Sequence, residues 1–342
     1  MSVILVVGYG SIGRRHVLNL LRFTDMKIII FSKRKKINLD DFSGISKRTL
    51  KERLEISSSL QKCITKNPRI AFITNETSKH ITIAIKLAKY GIDLFIEKPL
   101  SNSPLGLRLL KKIVKKKKLI CMIGCNFRFY PPLQKIKKLL DTHSLGTLHS
   151  IHIENGSYLP DWHPYENYTK NYASKKTLGG GVTLTQIHEL DYLCWFLGMP
   201  KEVTTVMTKI SNLKINVDDI NETILRFPNS VIAGIHLDFF QRPYFKSCKI
   251  KSSKGTLQWD STENQINFYT SKTKKWSKIK VANNYNLSGN KINKMYIEEL
   301  RHFLSCIKKR SQPMNNLSEA ESILNVTLCM KKSSSMKKTI KI

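Results

Sequence analysis

Acidic side chains are scarce in this sequence: 25 Asp and Glu stand against 58 Lys and Arg, a net charge of +33. Long apolar runs are missing too. Stretches such as 28–31 and 70–73 fall far short of the ~20 residues a membrane helix needs. Cysteine is sparse and odd in number, seven in all, at 63, 121, 125, 194, 248, 306 and 329. That excludes a disulfide scaffold, and Cys121 and Cys125 have no second pair to complete a zinc site. Reduced thiols in a cytoplasm are the expectation. No basic n-region precedes the first apolar run, so the N-terminus reads as a strand rather than a signal peptide. The chain lacks neither hydrophobic residues (41%) nor an ordinary charged fraction (24%). That composition excludes a disordered or collagen-like chain.

A surplus of positive charge suggests nucleic acid or a membrane surface. Here the basic runs, at 33–36, 111–118 and 331–341, are dispersed, and no aromatic-interleaved RNA motif accompanies them. The expectation is a solvated basic surface, with no specific nucleic-acid partner and no membrane partner. At 342 residues the chain has room for about two domains.

The first half alternates strand and helix. Residues 3–7 are a continuous run of strand formers, followed at once by Gly8-Tyr9-Gly10-Ser11-Ile12-Gly13 and then by a helical pattern over 14–23, with Val17, Leu20 and Leu21 on one face. A second strand is expected over 26–31. Strand, glycine turn, helix and strand within about thirty residues make the G-x-G-x-x-G match a dinucleotide-binding signal. Gly8 permits the turn, Gly10 lets a pyrophosphate approach, and Gly13 lets helix and strand pack. The N–H groups at Ser11 and Ile12 open a helix N-terminus toward phosphate. An NAD site usually carries Asp or Glu at the end of the second strand. This chain has Ser32, Lys33 and Arg34 instead, so Ser32 and Arg34 are expected to hold a 2′-phosphate. NADP is the preferred cofactor on this reading, with NAD as the second choice. A strand over 69–74 ends in Thr74-Asn75-Glu76-Thr77-Ser78 and leads into a helix from His80. A strand from Asp93 ends in Glu97-Lys98-Pro99. In a doubly wound sheet these strand ends should line one crevice, which makes Thr74, Asn75, Thr77, His80, Glu97 and Lys98 candidate cofactor contacts.

The set of motifs resembles the glucose–fructose oxidoreductase and inositol dehydrogenase family, Gfo/Idh/MocA. Carrying the resemblance are Gly8-x-Gly10-x-x-Gly13, Glu97-Lys98-Pro99, Asn126-Phe127-Arg128-Phe129-Tyr130-Pro131, Gly179-Gly180-Gly181 and His188-Glu189-Leu190-Asp191-Tyr192. The segment from Ser157 to Pro164 resembles a sub-group of the family. The order and spacing agree over nearly the whole chain. The resemblance implies an α/β protein. A Rossmann doubly wound parallel sheet (1–122) would precede an α+β substrate-binding and oligomerisation domain (123–342). The second domain would carry a large, open, mostly antiparallel sheet, with a last helix packing back near the first. Strands over 148–158, 202–210, 219–227, 230–240, 245–252 and 265–269 are compatible with it. Late helices are expected over 297–308 and 317–331.

The implied activity is hydride transfer between NAD(P) and a carbinol carbon of a sugar or nucleotide-sugar. The sub-group points toward bacterial surface-sugar, sialic-acid-like, biosynthesis. Lys98 matches the family's lysine and is the first candidate for proton transfer. A lysine in water is a poor base at neutral pH, and burial beside an apolar or cationic wall is what makes one useful. His188, at the start of an amphipathic helix, is the second candidate. Many relatives place Asp three residues before this His, where this chain has Thr185. Threonine can bind a hydroxyl but cannot act as a carboxylate base, which keeps open a redox-inactive sugar- or dinucleotide-binding regulatory protein on the same scaffold. Asn126 and Arg128 are expected near the substrate. So are Tyr158, Trp162 and His163, because aromatics beside hydrogen-bonding groups suit a sugar's C–H faces and hydroxyl edges. A homodimer or homotetramer is implied by the resemblance alone.

Overall fold

A computed structural model of the chain describes residues 3–33, 42–164, 166–281 and 292–342. The chain divides into two compact units. Unit 1 is Met1–Gly124 with Tyr296–Glu321, and unit 2 is Cys125–Met295 with Ser322–Ile342.

In unit 1, strands β1 (Val3–Val7), β2 (Lys27–Phe31), β3 (Leu54–Ser57), β4 (Ile70–Ile73), β5 (Asp93–Glu97) and β6 (Cys121–Gly124) form one sheet in the order β3-β2-β1-β4-β5-β6. Every pairing is parallel. Helices α1 (Ser11–Phe23), α2 (Lys47–Arg53), α3 (Leu60–Ile64), α4 (His80–Lys89) and α5 (Leu107–Lys116) connect the strands. A parallel sheet is covered on both faces, so its inner strands must be apolar throughout. The central residues of β1, β2, β4 and β5 are almost fully buried. The strand order reverses between β1 and β4, which puts the switch point at the loops that follow them. Helix α9 (Asn293–Lys309) and the first residues of α10 (Leu317–Met336) bring the later segment into this unit. Phe303 packs edge-on against the stacked pair Phe72–Phe95, at 5.6 and 5.4 Å. The Arg310 guanidinium bonds the Asp93 carboxylate at 2.6 and 3.3 Å.

Unit 2 holds a nine-stranded sheet built from β7 (Leu148–Gly156), β8 (Glu202–Thr208), β9 (Ile220–Arg226), β10 (Ile232–Asp238), β11 (Phe245–Ser252), β12 (Gly255–Asp260), β13 (Ile266–Thr270), β14 (Lys275–Ile279) and β15 (Ile340–Lys341). Its order is β14-β13-β12-β11-β7-β10-β9-β8-β15. Within this sheet, only β7 and β10 pair in parallel among the described strands. The central strands alternate: Leu225, Ala233, Ile235, Cys248 and Ile250 are buried on one face, while Val206, Ile224 and Ile232 lie on the other. Helices α6 (Pro131–Asp141), α7 (Val182–Thr185) and α8 (His188–Leu197) complete the unit with most of α10.

Strands β3, β12, β14 and β15 are additional to those read from the sequence. β3 is a four-residue edge strand with no fully buried residue. β14 is an exposed edge with Trp276 half open, and β15 is two residues long. β3 and β14, without a buried face, carry no apolar run to announce them, and β12 buries Leu257 and Trp259 without one.

Candidate functional site

In unit 1 the loop after β1 is fixed by its neighbours. Gly8 N–H bonds the Phe31 carbonyl at 3.0 Å, and Thr74 N–H bonds the Val7 carbonyl at 2.8 Å. Thr74 Oγ1 lies 3.1 Å from both the Val7 and Gly8 carbonyls. Gly8 has φ +100°, and a Cβ there would lie 2.8 Å from Asn75 N. A Cβ on Gly13 would lie 2.4 Å from Gly8 O and 2.8 Å from Thr74 Oγ1. Gly10 is the opposite case, because a Cβ there meets no atom within 4 Å. Gly10 is also the N-cap of α1, with no side-chain cap and no acidic residue in the first turn. Exposed Ser11 and half-buried Ile12 follow. An uncapped helix N-terminus beside open space at Gly10, on a loop packed tight from behind, fits a pyrophosphate. Gly8, Gly10, Ser11, Ile12 and Gly13 would hold it.

Around this cradle, Ser32 is buried and its N–H bonds the Ser57 carbonyl at 3.0 Å. Lys33 is exposed, and Arg34 lies outside the described residues. Thr77 is buried at the start of a 3₁₀ turn, Thr77–Lys79. His80 is 1% exposed, and its Nδ1 and Nε2 each lie 2.9 Å from a backbone carbonyl, of Pro99 and Asn75. Glu97 points inward, its Oε1 2.6 Å from His16 Nε2. His80 and Glu97 therefore brace the strand-end loops from behind. Lys98 is half-buried.

In unit 2 the 3₁₀ turn Asn126–Phe129 carries buried Asn126 and Arg128. The Arg128 guanidinium grips Asp191 through Nε and Nη2, both at 2.9 Å, and both residues are nearly sealed from solvent. Removing one partner of such a pair typically costs about 3–5 kcal/mol. The pair ties the turn to α8, at whose N-terminus half-buried His188 packs against the Phe127 ring, centroids 4.9 Å apart. The Lys246 ammonium sits 3.8 Å from the centroid of the same ring and pairs with Glu189. Lys246 and Glu189 are 2% and 0% exposed. Thr185 is buried at the end of α7, its N–H on the Gly181 carbonyl at 2.9 Å.

Trp162 donates its indole N–H to Ser157 Oγ at 3.0 Å, and Gln186 donates its amide to the same oxygen at 3.2 Å. Ser157 thus ties the Trp162 segment to the residues just before His188. Tyr158 lies under the Arg242 guanidinium at 3.9 Å. Leu159, Trp162, His163, Glu166, Tyr168 and Asn171 line a cleft of about 190 Å³, counting its open mouth. Most of that is the open mouth: the enclosed space is about 10 Å³, room for about one water, so this cleft by itself is no ligand pocket. Sequence reasoning missed Ser157, Gln186, Arg242 and the Glu189–Lys246 pair. Lys246 had one usable signal: strand alternation puts it on the buried face with Cys248 and Ile250.

Two family models match the chain. One describes an oxidoreductase family with an NAD-binding Rossmann fold and covers residues 3–125. The other describes the GFO/IDH/MocA C-terminal domain and covers residues 133–258. Among curated relatives, the uncharacterized oxidoreductase YrbE of Bacillus subtilis is 28% identical over 238 residues, 67% of this chain and just under two thirds (65%) of that protein. Myo-inositol 2-dehydrogenase of Thermotoga maritima is 23% identical over 98% of this chain and 97% of that protein. Among solved structures, levoglucosan dehydrogenase in complex with NADH and levoglucosan superposes with a TM-score of 0.85 at 15% identity, covering 100% of this chain and 99% of that one.

Proposed function

The chain belongs to the GFO/IDH/MocA oxidoreductases, and from that premise we propose that it moves a hydride between a nicotinamide dinucleotide and a carbinol carbon of a sugar or nucleotide-sugar. The observation that carries the reading is the glycine loop: closed behind Gly13, open before Gly10, at an uncapped helix N-terminus. The nicotinamide, when bound, supplies the hydride chemistry. The chain's own task is to bind, orient and move one proton, which is typically worth about 10²–10⁴ in rate. Lys98 is our first candidate to hold that proton, and His188 is the second candidate, for the same transfer or for binding a hydroxyl. Asn126, Thr185, Tyr158, Trp162 and His163 are the substrate contacts we favour, with Arg128 setting the turn that carries Asn126.

NADP is favoured over NAD because the end of β2 offers Ser32, Lys33 and, next in sequence, Arg34, with no carboxylate to receive a free 2′-hydroxyl. Levoglucosan and inositol, named in the relatives and structures above, head the substrates to screen, with sialic-acid-like sugars beside them. The seven free cysteines fit a reducing cytoplasm. A second copy of the chain is the partner we favour, as a homodimer or homotetramer.

Titration with NADPH and NADH, followed by nicotinamide fluorescence, tests the reading. Tight NADPH and weak NADH are expected. Lys98→Ala should then keep dinucleotide affinity and lose turnover. NADH preference would remove the 2′-phosphate argument, and binding of neither would leave the redox-inactive reading. Full turnover in Lys98→Ala would defeat the assignment.

A further inference from the structure

The turn that carries Lys98 is held from behind at two points. His16, on α1, is 1% exposed, and its Nε2 lies 2.6 Å from Glu97 Oε1. The other Glu97 oxygen accepts the backbone N–H of Lys98 at 3.3 Å. On the far side of the lysine, the Pro99 carbonyl lies 2.9 Å from His80 Nδ1. The second nitrogen of that ring lies 2.9 Å from the carbonyl of Asn75, in the loop after β4. Glu97, before Lys98, is therefore bonded to a buried imidazole, and Pro99, after it, lies against a second one, whose single N–H in the neutral ring serves either the Pro99 or the Asn75 carbonyl.

The choice of residue at position 16 is informative. Its ring sits among Phe72, Phe95 and Tyr296, with centroids at 5.3, 5.1 and 6.1 Å. Its Nδ1 is buried with no hydrogen-bond partner among the described residues. That assigns the ring proton to Nε2, where it is donated to Glu97. A phenylalanine would fill such a box at no cost in polar burial. The one thing the imidazole adds is its bond to Glu97, which must outweigh the cost of burying a carboxylate and a half-satisfied ring.

We propose that His16 and His80 are positioning residues for Lys98, His16 through Glu97 and His80 through Pro99. The His80 ring also fills the space between the turn that carries Lys98 and the loop after β4, one of the loops at the dinucleotide switch point. The proposal rests on the reading of Lys98 as the proton-transfer group. Its physical warrant is that a small misplacement of a reacting group carries a large rate penalty, about 10²-fold for 1 Å.

Competitive labelling of the folded full-length protein with trace acetic anhydride tests it, the Lys98 peptide being quantified by mass spectrometry with and without NADPH. His16→Phe keeps the aromatic packing, and Glu97→Gln keeps the size while dropping the charge. In both, Lys98 labelling is expected to change severalfold while Lys79, Lys86 and Lys89 stay as in the parent, with NADPH affinity preserved. On a substrate found in the screen, kcat should fall about tenfold or more with KM little changed. His80→Gln should likewise change Lys98 labelling severalfold without NADPH, and unchanged labelling in that folded variant would overturn the role of His80. Unchanged Lys98 labelling in folded His16→Phe and Glu97→Gln would overturn the proposal, as would a shift shared by all lysines. Should His16→Phe fail to fold, Glu97→Gln decides. Turnover retained in Lys98→Ala overturns the functional reading whatever the labelling shows. Turnover lost there, with labelling unmoved in the other variants, overturns the positioning alone.

Discussion

Gly10 and Gly13 lie in one loop, yet they should fail in different ways. Gly10→Ala adds a methyl group to open space, at φ −85°, a backbone that any residue adopts. Its melting curve should match the parent's, while NADPH affinity drops about tenfold or more, equivalent to about 1.4 kcal/mol. Gly13→Ala pushes a methyl group against Gly8 O and Thr74 Oγ1, and should cost about 1–3 kcal/mol of stability by urea denaturation. Equal stability losses in the two variants would mean that the loop is not open on the Gly10 side. Both glycines could be read from the sequence, because a tight turn and a close backbone approach admit few other residues. So could the turn at Lys98, since Glu97, Lys98 and Pro99 stand at a strand end. The partners of these residues could not. His16 and Glu97 are 81 positions apart and Glu189 and Lys246 are 57 apart, and each is a common residue type whose pairing exists only in the fold.

Helices and strands divide the response to pH. Burial holds His80 on α4 and His302 on α9, both in unit 1, below the usual imidazole range. The unfolded chain takes up those protons near pH 6.5 and the folded chain resists them, so unit 1 should lose stability as pH falls below about 6.5. His236 on β10 behaves oppositely. Hydrogen bonds to Asp238, and then to Glu222, push it up to about 9. The stability it contributes is full below about pH 6.5 and is lost as pH rises through about 9. Peptide-resolved amide exchange at about pH 5.5, 7.5 and 9.5 should show α4 and α9 opening first in acid and β9–β10 first in base. Parallel acid sensitivity in both units would contradict this. The elements themselves were legible where burial gave them a pattern. Helix α4 and strand β11 run over the residues that periodicity marked, while β3 and β14 had no buried face to mark them and β15, with buried Ile340, spans only two residues.

Over the whole molecule, the +33 charge says less than one face of the large sheet. Val206, Ile224 and Ile232 are 63%, 59% and 45% exposed on β8, β9 and β10, the side opposite the core. A second copy of the chain covering that face would account for them. Ile224→Glu should then shift the mass measured by analytical ultracentrifugation from an oligomer to a single chain, with the melting curve of unit 1 unaltered. A parent protein that already sediments as one chain would remove the argument. Another whole-molecule feature reaches further, because unit 1 is made of two stretches with all of Cys125–Met295 between them. A ribosome delivers the six parallel strands first, and the nascent chain then waits through the entire second sheet before Tyr296 and Phe303 emerge to cover His16, Phe72 and Phe95. During that interval the cofactor half is a half-built wall with its aromatic side bare. The same wall is what any excised N-terminal fragment would inherit. Chain connectivity makes this unit inseparable from the polypeptide that interrupts it.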